Sequence, residues 1–215
     1  ESMKAIDRFL IPPAELLFDG SSSEEEFLAL GDGFCRSILI QRAYLHPQAA
    51  FLDVGCGNGS VARYLTEYLT DGGSYDGLDI HGAAISWLQS HYTAYPEFRF
   101  THADVYNKMY NPAGHYPASE YRLPYPDSTF DVLLLKSVFT HMLPGDLQNY
   151  LKELSRVLKG GGRSVITYFL LNDESRRFMR NGLDKMGLEH EFNHDPLCRI
   201  ANPGMPESVV AHEES

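Results

Sequence analysis

The stretch Leu52-Asp53-Val54-Gly55-Cys56-Gly57-Asn58-Gly59-Ser60 leaves few options for the chain around it. Its alternating glycines let the backbone turn sharply and let a ligand approach the main chain with no Cβ in the way. A short apolar strand, Ala50–Val54, runs into the turn, and a helix from about Ser60 to Leu69 runs out of it. The first amides of such a helix lack intrahelical partners and sit at the positive end of its dipole. In an open sheet, a strand, a tight turn and a helix in that order place a ligand at the C-terminal end of the strand.

The same alternation continues down the chain. Strands are expected at Ser74–Ile80, Phe98–Ala103, Phe130–Leu135 and Ser164–Leu171, with helices at Ala83–Tyr92 and Leu147–Leu158. Phe130-Asp-Val-Leu-Leu-Leu135 is nearly all apolar, as a strand covered on both faces must be. Gly160-Gly161-Gly162 reads as the left-handed stop of the second of those helices. Strands joined by helices imply right-handed crossovers, so the fold class is α/β, a doubly wound and mainly parallel sheet with helices on both faces. Upstream, Ser23 with Glu26 three residues later signals a helix start, and apolar residues recur at Phe27, Leu30, Phe34 and Ile38 until Pro47. That helix reads as interrupted around Gly31-Asp-Gly33. Residues 1–46 are then an N-terminal segment and helix packing on the core, and 47–215 the main domain. Beyond Leu171 the pattern weakens to one helix, Asp173–Met186, and a polar stretch whose one apolar run is Val209-Val210-Ala211, so the sheet looks cut short after strand five.

Composition narrows the partners. Eighteen Lys+Arg against 29 Asp+Glu leave a net charge of −11, which repels phosphate backbones and anionic lipid. Nucleic acid and membrane surfaces are therefore not expected. The start, Glu1-Ser-Met-Lys-Ala-Ile-Asp, has no basic region followed by an apolar one, and no apolar run approaches the ~20 residues of a membrane span. A cytoplasmic protein is the expectation. Cys35, Cys56 and Cys198 are too far apart for a Cys-x-x-Cys pair and read as free buried thiols.

The turn's spacing separates ligands. A dinucleotide fingerprint is Gly-x-Gly-x-x-Gly, whereas here Gly55, Gly57 and Gly59 alternate and position 60 is serine. Asp53 stands just before the turn, where its charge suits an ammonium better than a pyrophosphate. Asp79 closes the second strand, where a carboxylate can accept from vicinal ribose hydroxyls or cap the next helix. Asp104 closes the third, placed to accept from an adenine amine or to serve a surface turn.

Taken together, Asp53-Val-Gly-Cys-Gly-Asn-Gly59, Asp79, Asp104 and Phe130–Leu135 resemble the class I S-adenosylmethionine-dependent methyltransferases, with their Rossmann-like fold. Tyr150-Leu-Lys-Glu-Leu-Ser-Arg-Val-Leu-Lys-Gly-Gly-Gly162 is similar to the family's helix and turn before strand five, with Gly160 where proline is usual. The resemblance spans roughly residues 47–171. It implies S-adenosylmethionine as cofactor, its methionine portion beside Gly55, Gly57 and Gly59 and its amino group near Asp53. It implies Asp79 on the ribose, Ile80 against the adenine face, Asp104 and the Val105 amide on the adenine edge, and Lys136 and Ser137 beneath the sulfonium.

Methyl transfer asks the protein mainly to position an acceptor and, where needed, to take its proton; no metal is required. His141, just after strand four, can serve as that general base or simply pack in its turn; His115 and Tyr116 are weaker candidates. The long connection Tyr106–Asp127, rich in tyrosine and proline, reads as an acceptor wall or lid, and Lys108 within it as a contact for an anionic group. A small-molecule acceptor, including a hydroxyl, fits best, and an open sheet edge leaves room for a homodimer. Two other readings stay open: a methyltransferase-like binding module without catalysis, and an NAD(P)-dependent oxidoreductase.

Overall fold

The computed structural model describes residues 8–18, 20–42, 44–70 and 72–214; the segment read for a leader peptide lies outside them. Its centre is a five-stranded sheet of β1 (Ala50–Val54), β2 (Ser74–Asp79), β3 (Phe98–His102), β4 (Phe130–Leu135) and β5 (Leu158–Ile166). The strand order is β3-β2-β1-β4-β5, and every pairing is parallel. The order reverses between β1 and β4, the switch point at which such sheets open a crevice.

Helix α1 (Glu24–Phe34) runs on as a π-helical segment, Cys35–Ile40. Ser23 Oγ accepts the Glu26 amide at 3.2 Å, while the Glu26 carboxylate reaches back to the Ser22 amide at 2.7 Å. The helix is not interrupted at Gly31. A Cβ there would lie 2.2 Å from the Ser60 carbonyl oxygen, so the glycine permits backbone-to-backbone contact with the next helix. Helices α2 (Ser60–Leu65), α3 (Gly82–His91) and α4 (Pro144–Val157) are the crossovers. An aromatic core of Phe51, Tyr75, Phe98 and Phe100 fills one face of the sheet; Leu133, Leu135, Leu154 and Val157 belong to the core on the other.

Two expectations change around strand five. The glycines 160–162 do not stop a helix: α4 ends at Val157 and Leu158 is already extended. They sit where the pairing slips from Phe130↔Leu158 to Val132↔Arg163, and a Cβ on Gly162 would crowd the Asp131 carbonyl at 2.9 Å. The apolar run to Leu171 is also shared between two sheets, because β6 (Phe169–Leu171) leaves the first one.

The polar C-terminal stretch is likewise structured. After α5 (Asp173–Arg180), the strands β7 (His190–Phe192), β8 (Asp195–Ile200) and β9 (Val210–Glu213) join β6 in a four-stranded sheet ordered β6-β9-β8-β7. Its strands are short and mostly only partly buried, so they carry little apolar periodicity. Lys108 Nζ donates to the Gly204 carbonyl at 2.9 Å, and His212 Nε2 to the Met142 carbonyl at 3.0 Å, tying this sheet to the first. No helix among the described residues is long and apolar enough to cross a membrane. Cys35, Cys56 and Cys198 are buried and form no disulfide among the described residues.

Candidate active site

The glycine turn forms as its sequence demands. Gly55, Gly57 and Gly59 have φ of 80°, 55° and 86°, values that favour glycine, and Gly59 is the N-cap of α2. The Gly55 amide donates to the Leu78 carbonyl at 2.7 Å, which ties the turn to the end of β2. There Asp79 completes the join: Oδ2 accepts the Gly57 amide at 2.7 Å and Oδ1 the His81 amide at 2.8 Å. Capping of α3 falls to His81, whose Nδ1 accepts the Ala84 amide at 3.2 Å, so Asp79 is left to the turn. Phe18, from the N-terminal segment, stacks on His81 with ring centroids 4.5 Å apart.

These turns open into a cleft of about 320 Å³ at the C-terminal ends of β1, β2 and β4. Gly55, Gly57, Asp79, Ile80, Val105, Lys136, Ser137 and His141 line it together. Ser137 holds the left-handed backbone, φ 60°, that a non-glycine residue adopts at a cost, and its amide donates to Thr167 Oγ1 at 2.8 Å. Tyr106, Tyr110 and Pro117 bring the long connection to the wall.

Other expected residues sit elsewhere. Asp53 is 1% exposed and its Oδ2 accepts the Tyr75 hydroxyl at 2.7 Å; it holds β1 to β2 from inside the core rather than facing the cleft. Burial and the Asp53 charge push the Tyr75 hydroxyl well above its ordinary pKa. Gly59 faces α3, where a Cβ would meet Leu88 Cδ2 at 2.5 Å. Asp104 lies outside the cleft lining, with Oδ2 2.7 Å from His115 Nδ1, a bond that lowers its pKa. His115 and Tyr116 are exposed and also lie outside it. Lys108 is committed to the second sheet.

The connection is a built wall. Its strand-like bridges, Val105↔Tyr116 and Asn107↔Asn111, close it on itself. Helix α4 clamps it: Asn149 Nδ2 donates to the Ala118 and Tyr121 carbonyls at 2.8 and 2.9 Å, and Arg156 to the Tyr125 and Leu123 carbonyls at 2.8 and 3.0 Å. Glu153 accepts the Leu123 amide at 2.9 Å, with its pKa lowered by Arg156 first.

The far end of the cleft is made by residues the sequence did not disclose. Asp146 lies in the first turn of α4, and Glu207 in a 3-10 turn, Pro206–Ser208, of the second sheet. His141 Nδ1 lies 2.9 Å from the Glu207 carbonyl oxygen. A carbonyl only accepts, so Nδ1 carries the hydrogen and the neutral ring keeps its lone pair on Nε2. The Tyr110 ring stands edge-on to His141, centroids 5.7 Å apart. Burial, and then the charge of Glu207, raise the pKa of Asp146.

A carboxylate at the second strand end, a Cβ-free turn and an apolar wall of Leu78, Ile80, Ala103 and Val105 fit an adenosine-bearing cofactor with a flexible polar tail. The doubly wound sheet and this cleft define a nucleoside-cofactor-binding α/β domain. A model of the methyltransferase domain matches residues 52–166, more than half of the chain. The phthiotriol/phenolphthiotriol dimycocerosates methyltransferase 1 of Mycobacterium ulcerans is 34% identical over 116 residues, 54% of this chain and 36% of that protein. The fatty-acid O-methyltransferase of Mycolicibacterium smegmatis is 29% identical over 127 residues, covering 59% and 38%. The chain thus spans well under half the length of these curated relatives. The PH0226 protein of Pyrococcus horikoshii shares the fold, with a TM-score of 0.51 at 21% identity over 76% of this chain and 65% of that one. The chain belongs to the S-adenosylmethionine-dependent methyltransferase domain family.

Proposed function

We propose that the protein transfers the methyl group of S-adenosylmethionine to a small, largely apolar acceptor at a hydroxyl group. The observation that carries this reading is the single cleft lined both by Asp79 and Gly57 and by His141, whose Nδ1–H is held on the Glu207 carbonyl. In this reading Asp79 accepts from the ribose hydroxyls, Ile80 and Val105 cover the adenine, and Gly55 and Gly57 admit the methionine portion, a reading supported by their sharing one cleft. Bound there, the cofactor supplies an electrophilic methyl group on a sulfonium centre. Lys136 and Ser137 line the floor at the end of β4. His141 Nε2 takes the hydroxyl proton as the oxygen becomes a nucleophile, and the Glu207 carbonyl steadies the ring as it gains charge.

Tyr106, Tyr110, Pro117, Ala118, Met142 and Tyr150 give the acceptor an apolar, aromatic surround. The relatives named for dimycocerosate and fatty-acid substrates support an apolar body for the acceptor. The test is transfer of a labelled methyl group from S-adenosylmethionine to a medium-chain alcohol. His141→Gln is expected to lower kcat by about 10²–10⁴-fold with KM little changed. An unchanged kcat would remove His141 from the chemistry; no transfer by a protein that binds the cofactor would favour the binding-module reading.

A further inference from the structure

Resting on that reading, we infer that the acceptor's head group must donate hydrogen bonds and carry no negative charge, and that Asp146 and Glu207 select for this. The balance of carboxylates and ammonium groups in the cleft is one-sided. Its lining carries three carboxylates, Asp79, Asp146 and Glu207, against one ammonium, Lys136. Lys136 already takes part in an interaction within the protein. Asp79 is spent on two amides at the cofactor end, while Asp146, which is bonded by the Leu143 and Ser119 backbone, and Glu207 line the other end with His141.

The one donor of the neutral His141 ring is used up. His141 commits its Nδ1–H to the Glu207 main chain, so its remaining nitrogen only accepts when the ring is neutral. Glu207 Oε2 is buried from solvent and accepts no hydrogen bond among the described residues. A buried acceptor atom left unpaired is costly, and a donor arriving with the substrate removes that cost. A carboxylate arriving there meets two like charges beside His141, which a specificity site exploits as repulsion. A hydroxyl or an ammonium satisfies the same atoms, and the charge distribution favours both over a carboxylate for one reason.

The experiment uses the protein saturated with S-adenosylhomocysteine and three probes of equal chain length: 1-octanol, octylamine and octanoate. Calorimetric titration is expected to show octanoate binding at least tenfold more weakly than whichever of the other two binds tighter. Octylamine tightest assigns the head group to an ammonium; octanol tightest assigns it to a hydroxyl. In Glu207→Gln and Asp146→Asn the discrimination against octanoate is expected to fall by fivefold or more, with S-adenosylhomocysteine still bound as the check that each variant folds. Octanoate binding as tightly as the others, an unchanged ratio in both variants, or no binding of any probe to the loaded protein overturns the inference. Failure of the protein to bind S-adenosylhomocysteine would instead strike the methyltransferase reading on which it rests.

Discussion

The carboxylate of Asp79 bridges two turns, accepting the Gly57 amide at 2.7 Å on one oxygen and the His81 amide at 2.8 Å on the other. The glycine turn after β1 and the turn after β2 are thereby set against each other before any ligand enters. Removing the carboxylate should therefore cost both preorganisation and direct contact. Asp79→Ala is expected to weaken S-adenosylhomocysteine binding by roughly 10²-fold, about 2.7 kcal/mol, within the range for charged hydrogen bonds. Calorimetric titration reads this directly, and wild-type affinity in the variant would mean that Asp79 serves the fold alone.

Gly55 and Val138 are matched in shape. At φ 80°, Gly55 would place a Cβ 2.3 Å from Val138 Cγ2, and a β-branched side chain has little freedom to turn aside. Gly55→Ala should cost about 1–2 kcal/mol for the left-handed backbone and push Val138 into the cleft it lines. The expected result is a tenfold or greater loss of S-adenosylhomocysteine affinity, largely recovered in Gly55→Ala/Val138→Ala while the lost thermal stability stays lost. Affinity that stays lost in the double variant would place the damage in the turn itself.

How much of this was legible in the sequence follows from the range of each interaction. The run Phe130–Leu135 reads as a central strand because both its faces are buried, and the Gly55–Gly59 turn because its conformation disfavours other residues. Asp53 looked like a ligand for the cofactor because nothing local shows that the Tyr75 hydroxyl, 22 positions on, holds it. Asp104 was ambiguous for the same reason, its partner His115 lying in an irregular loop. Glu207 carried no signal at all. It matters because a small, half-exposed sheet brings its turn to His141, 66 positions away, and half-exposed strands leave little pattern. Asp146 stood in plain view as an acid in the first turn of α4, where its ordinary reading is a favourable helix-end charge.

Arg156 decides whether the long connection is a wall or a loop. Its guanidinium bonds Glu153, Asp127 and the carbonyls of Leu123 and Tyr125, and it is only 16% exposed. Arg156→Met would leave Glu153 buried and without that partner, costing on the order of 3 kcal/mol. For a chain of this size that is a fall in Tm of roughly 6–12 °C. Acceptor binding should weaken more than cofactor binding, because Tyr106, Tyr110 and Pro117 belong to the released segment. Equal losses for both ligands would show that α4 supports the whole cleft.

His212 gives the docking of the second sheet a pH dependence. Its Nε2–H donates to the Met142 carbonyl at 3.0 Å, and burial is the first cause of a pKa lowered from 6.5. The folded protein therefore resists protonating this ring, whereas the unfolded chain takes up the proton near pH 6.5. Between the folded and the ordinary pKa the unfolded state binds more protons, so this contribution to stability is complete above about pH 6.5 and lost as the pH falls. One such group contributes a slope of at most about 1.4 kcal/mol per pH unit. Thermal melts from about pH 7.5 down to 5.5 should show the wild type losing stability faster than His212→Gln, whose amide can donate but does not titrate in that range. Parallel curves would mean that the acid sensitivity lies elsewhere. A shallower curve for the variant, together with wild-type discrimination against octanoate at pH 7.5, would show that the sheet can be loosened by acid without altering the acceptor end it completes.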